Sequence, residues 1–131
     1  MILVDSTVWI DYFNGNQTSQ TDWLDSSLGN TPIVIGNLIL TEVLQGFQND
    51  KDFKIAKDLL LRIPFMSMGE QTLALESAMN YRFLKRKGVT VRKTIDVIIG
   101  TFCIHNQLTL LHCDRDFDPM VKYLGLKIIG I

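Results

Sequence analysis

The chain is poor in several residues that would narrow its class. It holds two cysteines, Cys103 and Cys113, ten positions apart and without a CxxC pair, so a disulfide framework is excluded and reduced thiols in a cytoplasmic protein are expected. A zinc site drawn from Cys103, His105, His112 and Cys113 is disfavoured by spacing. Positions i and i+2 of a helix face different ways, and neighbouring strand residues point to opposite faces. Long apolar runs are missing as well. Val97 to Cys113 is interrupted by His105, Asn106 and Gln107, and Ser26 to Thr41 by Gly29, Asn30, Pro32, Gly36 and Asn37. Neither matches the about 20 apolar residues of a membrane span. The start Met1-Ile2-Leu3-Val4-Asp5 has no basic leader or small-residue cleavage site, so no signal peptide is expected. Net charge is nearly absent: thirteen Lys and Arg face fourteen Asp and Glu, giving −1, which argues against a globally basic nucleic-acid binder. Glutamate is scarce too, at three of the fourteen acids against eleven Asp, although Glu is the better helix former. An excess of Asp goes to caps, turns or metal sites.

What is present is a foldable core. At 131 residues with 47% hydrophobic content, the length suits one domain and the composition excludes disorder. Ile2-Leu3-Val4 is a short buried strand that stops at Asp5 and runs into a helix ending near Phe13. A helix over Thr21 to Leu28 leads to a second strand, Ile33 to Ile35. Leu40, Val43, Leu44 and Phe47 then recur at helical spacing, and Lys51 to Arg62 is helical. Pro64 to Met68 reads as a third strand. Glu70 to Lys87 reads as the longest helix, with Leu75, Ala78, Met79 and Phe83 as its inner stripe. Ile95, Ile98, Ile99 and Phe102 mark the next helix, Leu108 to His112 a fourth strand, Asp118 to Leu124 a short helix, and Lys127 to Ile131 a last strand. Short apolar strands separated by helices predict an α/β fold, a short parallel sheet with helices on both faces.

The acids fall at telling places on that map. Asp5 ends the first strand, while Asp114 follows the fourth, with Asp116 two residues later. Ligand sites of open parallel sheets gather outside such strand ends, where strand order reverses. Glu42 flanks the helix after the second strand, and Asp96 lies near the start of an otherwise apolar helix. Each acid also has a plain structural use. Asp5 is a good cap, Asp114 and Asp116 suit a turn, Asp96 complements a helix dipole, and Glu42 suits a solvated flank. Together they repel one another, and a divalent cation is the simple remedy. Oxygen-only donors point to Mg²⁺ or Mn²⁺, and phosphoryl-transfer chemistry is the natural use.

Four segments carry a resemblance. Ile2-Leu3-Val4-Asp5-Ser6-Thr7-Val8-Trp9-Ile10-Asp11 resembles the opening of PIN domains, particularly VapC-like toxins of bacterial toxin–antitoxin pairs. Thr41 to Gly46, Arg92 to Gly100 and His112 to Phe117 resemble the family's later acidic segments, in order. The resemblance implies one PIN domain over residues 1–131 and a Mg²⁺-dependent endoribonuclease, with Mn²⁺ as substitute. Asp5, Glu42, Asp96 and Asp114 would form its catalytic quartet, with Asp5 and Asp96 as direct metal ligands. Glu42 and Asp114 would complete the sphere through water or a second ion and orient the attacking water, with Asp116 close by as a further metal ligand. Ser6 or Thr7 would hydrogen-bond a ligand or a phosphate. It further implies an RNA substrate, a homodimer and a cognate antitoxin that blocks the site.

Six of the thirteen basic residues, Arg82, Lys85, Arg86, Lys87, Arg92 and Lys93, fall within twelve positions leading into Asp96. They form a phosphate-steering rim or a solvated helix end, with Arg92 and Lys93 the better candidates for RNA contact. Trp9, Tyr12 and Phe13 offer rings for a base, though at that spacing at least one belongs to the core or a dimer contact. Two other phosphoryl-transfer readings fail at named residues. A receiver domain needs paired acids after the first strand, where Ser6 and Thr7 stand, and a haloacid-dehalogenase-type phosphatase needs Asp where Thr7 stands. A module that binds RNA or a partner without cutting, and a housekeeping RNA-processing nuclease, remain as alternatives.

Overall fold

The computed structural model describes residues 1–131. Five parallel strands, β1 (Ile2–Val4), β2 (Ile33–Gly36), β3 (Phe65–Met66), β4 (Thr109–Leu111) and β5 (Lys127–Ile128), form one sheet in the order β3-β2-β1-β4-β5. β1 is central because it is apolar on both faces: Leu3 and Val4 are fully buried. Its register is Ile2 to Ile33 on one side, and Ile2 to Thr109 with Val4 to Leu111 on the other. The helices are α1 (Ser6–Phe13), α2 (Ser19–Ser27), α3 (Asn37–Leu44), α4 (Asp50–Leu60), α5 (Gln71–Arg86), α6 (Thr94–His105) and α7 (Asp118–Leu124).

From β1 to β3 the chain steps one way across the sheet, and from β3 it returns past β1 to β4 and β5. Right-handed crossovers in opposite directions put their helices on opposite faces. The packing agrees: α1 lies against α2 and α3, and α3 against α4, while α5 packs on α6 and α7. The expected parallel sheet with helices on both faces is therefore the observed architecture. No helix is long and apolar enough to cross a membrane.

Three features differ from the pattern expected of the sequence. The inner stripe of α5 is not Leu75, Ala78, Met79 and Phe83. Leu75 and Met79 are 60% and 65% exposed, and the face turned inward carries Leu73, Ser77, Tyr81 and Leu84. Both sets recur at helical spacing, and α6 selects between them: Asn80 Nδ2 donates to Thr101 Oγ1 at 3.0 Å, so the helix is rotated to bring that edge inward. On α3 the expected residues do face inward: Val43 is buried and Leu40, Leu44 and Phe47 pack against the core, with Ile39 buried beside them. The outer strands are shorter than expected, two residues each at β3 and β5. Finally, a 3₁₀ turn over Arg115–Phe117, without a periodic signal of its own, precedes α7.

α6 is buried almost all round. Asp96, Val97, Ile99, Gly100, Thr101, Phe102 and Cys103 are all buried, so its first turn carries a carboxylate into the interior at one end of the sheet.

Candidate acidic site

The carboxyl ends of β1 and β4 are joined at the backbone. The Asp5 N–H donates to Leu111 O at 2.9 Å, which fixes Asp5 beside the segment leading to Asp114. Asp5 occupies the cap position of α1, yet its carboxylate makes no capping bond to that helix. It is 4% exposed. Burial above all, and next the charge of Asp96, hold its carboxyl up at about 7. The Ser6 backbone N–H works the other way, while Glu42 and Asp114 add to the rise.

Asp96 is also buried, and its Oδ2 has no hydrogen-bond partner. Its pKa is raised to about 6, chiefly by burial; Lys93 pulls it down, and Asp114, Asp116 and Glu42 push it up. Carboxylate oxygens of Asp96, Asp114 and Asp116 all lie within 4.8 Å of one another. Asp5 and Glu42 stand outside that tight trio, although the Glu42 charge acts on Asp96 and the charges of Asp96 and Asp114 act on Asp5. All the acids expected in the quartet, and Asp116, thus share one end of the sheet.

Local hydrogen bonds orient several members. Ser6 Oγ, buried, donates to Glu42 Oε1 at 3.1 Å and ties α1 to α3. Thr7 is exposed. The Asp116 N–H donates to Asp114 Oδ1 at 2.9 Å, so Asp114 does serve as the turn residue its sequence context allows, with one oxygen spent and the other facing Lys93. The Asp114 N–H donates to His112 Nδ1 at 3.0 Å. That acceptor role puts the proton of the neutral ring on Nε2, and burial, the dominant influence, lowers the His112 pKa. The ring also packs on Phe117, centroids 4.9 Å apart. His112 therefore braces the Asp114 loop, a role no sequence signal marks.

The basic segment divides. Arg92 Nη2 lies 3.0 Å from Asp116 Oδ1, and Lys93 Nζ lies 3.9 Å from Asp114 Oδ2. Arg82 and Arg86 instead line a separate hollow with Phe83 and Tyr123, and Lys87 caps the Phe83 ring at 5.4 Å. The aromatic rings divide too. Trp9 is fully buried and stacks on Phe13, so it belongs to the core and offers no face to a base. The thiol and imidazole groups are engaged separately: Cys103 is buried, its thiol pushed up to about 12 by burial, and His105 pairs with Glu76 at 3.1 Å.

A family model for the PIN domain matches residues 2–122. Among curated proteins, VapC ribonuclease Mb1587 of Mycobacterium bovis is 26% identical over 129 residues, covering 97% of this chain and 96% of that protein. Among solved structures, VapBC2 from Rickettsia felis, bound to a DNA fragment from its promoter, superposes with a TM-score of 0.77 at 18% identity, over 98% of both chains. A toxin–antitoxin complex from Klebsiella pneumoniae gives 0.72 at 17% identity, over 99% of this chain and 97% of that one. At these identities the solved structures establish the fold alone.

Proposed function

The chain belongs to the PIN domain family, and from that premise we propose that it is a metal-dependent endoribonuclease, the toxin of a type II toxin–antitoxin pair. The observation that carries the reading is Asp96: a buried carboxylate whose Oδ2 has no partner, beside the carboxylates of Asp114 and Asp116. A buried carboxylate oxygen without a donor is costly, and converging acids repel one another. A hard divalent cation relieves both, and an all-oxygen donor set suits Mg²⁺, with Mn²⁺ able to substitute. Asp5, Asp96, Asp114 and Asp116 are the residues assigned to hold it. When bound, such an ion supplies a nucleophilic water near neutral pH and neutralises charge developing on a phosphodiester.

The side chains contribute orientation and charge. Glu42, with one oxygen held by Ser6, keeps the other free to orient a water. Asp114 is fixed by the Asp116 amide on one side and by His112 through its own N–H on the other. Thr7, Arg92 and Lys93 are exposed and are assigned to the phosphates of an RNA strand. The relative named as a VapC ribonuclease supports an RNA substrate. The neighbour described as a toxin–antitoxin complex supports a cognate antitoxin, which in this reading covers the cleft. Homodimerisation and a cytoplasmic location complete the reading.

The test is cleavage of total RNA by the purified chain with Mg²⁺ or Mn²⁺, alongside Asp5→Asn and Asp96→Asn. Wild type should cut, and both variants should lose at least about 100-fold in rate, as expected when a charge-stabilising group is removed. A folded wild type as inert as its variants with either ion would replace the nuclease by a module that binds without cutting.

A further inference from the structure

Two cations already sit on the acidic trio, and both are offered by the chain itself. The segment between α5 and α6 ends in Arg92 and Lys93. Lys93 stands at the cap position of α6, and Asp96 follows it after Thr94 and Ile95, in the first turn of that helix. The Arg92 and Lys93 side chains are 71% and 60% exposed, whereas their partners Asp116 and Asp114 are 21% and 29% exposed. Each cationic head therefore reaches in from solvent onto a deeper acid, and can leave without opening the fold.

The exposed pair Lys54–Asp58 gives the contrast. It joins neighbours one turn apart on a single helix surface, away from the converging trio. At the cleft, Arg92 and Lys93 lie against two of three converging carboxylates, and the Lys93 charge also reaches Asp96. An ion drawn to Asp96, Asp114 and Asp116 competes with both heads for the same oxygens. A head held on a carboxylate is unavailable to a phosphate.

Resting on the metal-binding reading above, we infer that Arg92 and Lys93 are resident counter-cations that a divalent ion displaces, and that the released heads then engage RNA phosphates. They are positioning residues whose exchange couples the two binding events. Coupling of this kind is reciprocal: the ion tightens RNA binding, and RNA tightens ion binding by the same factor.

The test is Mn²⁺ titration by calorimetry of the full chain, using wild type, Arg92→Gln, Lys93→Gln, the double variant and Arg92→Lys. Each Gln variant should bind Mn²⁺ about two- to fivefold more tightly, the scale of an exposed ion pair, and the double variant more tightly still. Arg92→Lys should stay near wild type. A second arm follows fluorescence anisotropy of a labelled 2′-O-methyl RNA oligonucleotide. Adding Mn²⁺ should tighten binding at least about fivefold for wild type and clearly less for the double variant. Equal or weaker Mn²⁺ binding in the Gln variants, or an undiminished RNA gain in the double variant, overturns the exchange while leaving the metal site standing. A wild type that binds no Mn²⁺ overturns the metal site itself.

Discussion

Replacing Asp5 by Asn should stabilise the metal-free protein, and the gain should grow with pH. Below about pH 3 the carboxyl carries its proton in both folded and unfolded chains, and burying it costs little. As pH rises, the unfolded group ionises around 3.8 while the buried one keeps its proton up to about 7. The folded state then binds the extra proton, so stability falls with pH across that window and levels off above it. A rise from 3.8 to about 7 corresponds to a penalty of at most about 4 kcal/mol for the ionised wild type. Asn has the shape of the neutral acid and carries no charge. Urea unfolding in EDTA should therefore show the two proteins within about 1 kcal/mol at about pH 4.5 and the variant ahead by about 2–4 kcal/mol at about pH 8. Saturating Mg²⁺ should shrink or reverse the gap, because only wild type keeps its full ligand set; a hundredfold excess over Kd contributes about 2.7 kcal/mol. A variant less stable than wild type at about pH 8 in EDTA, or a difference that ignores pH, would mean that the ionised Asp5 carboxylate does not destabilise the fold.

Three further outcomes follow from the packing. Leu84→Ala should cost about 2–5 kcal/mol in urea unfolding, whereas Leu75→Ala, on the outer face of α5, should cost under about 1 kcal/mol. Gly100→Ala should change stability by no more than about 1 kcal/mol in the same assay: its new Cβ displaces Cε and Sδ, the flexible end of the buried Met120 side chain, and the better helix propensity of Ala offsets that cost. Asn37→Ala should lower stability by about 1 kcal/mol through loss of the 2.8 Å bond that its Oδ1 accepts from the Met68 N–H, readable as a lower midpoint with an unchanged slope.

Much of the architecture is legible because β1, β2 and β4 are largely apolar on both faces and the helices between them keep a clear period. What escapes has physical causes. On α5, Leu75 and Met79 compete with Leu73 and Leu84 for the interior, and packing against α6 and α7, with the Asn80–Thr101 bond, decides. The 3₁₀ turn is held by the Asp114 carboxylate, a local bond that leaves no periodicity. Trp9 suits either ring stacking or the core by its sequence position, and packing takes it inside. The acids are locatable from strand ends, but their depth is not: Asp114 follows β4 much as Asp5 follows β1, yet Asp5 is buried and Asp114 only half-buried. The ion pairs at Arg92 and Lys93 are likewise hidden, because their partners lie more than twenty positions downstream.

The order of the sheet has a consequence in time. β1 is made before the other four strands, yet one of its neighbours is β4, and the Asp5 amide is fastened to Leu111. Asp5 and Glu42 leave the ribosome long before Asp114 and Asp116 exist, so an unfinished chain has half a cleft and nothing to complete it. The acids that must converge are divided between the first and last thirds of this sequence. A chain cut short before its fourth strand should therefore carry no assembled site, and any partner that recognises the assembled cleft has nothing to grip until β4 and the turn after it have been made.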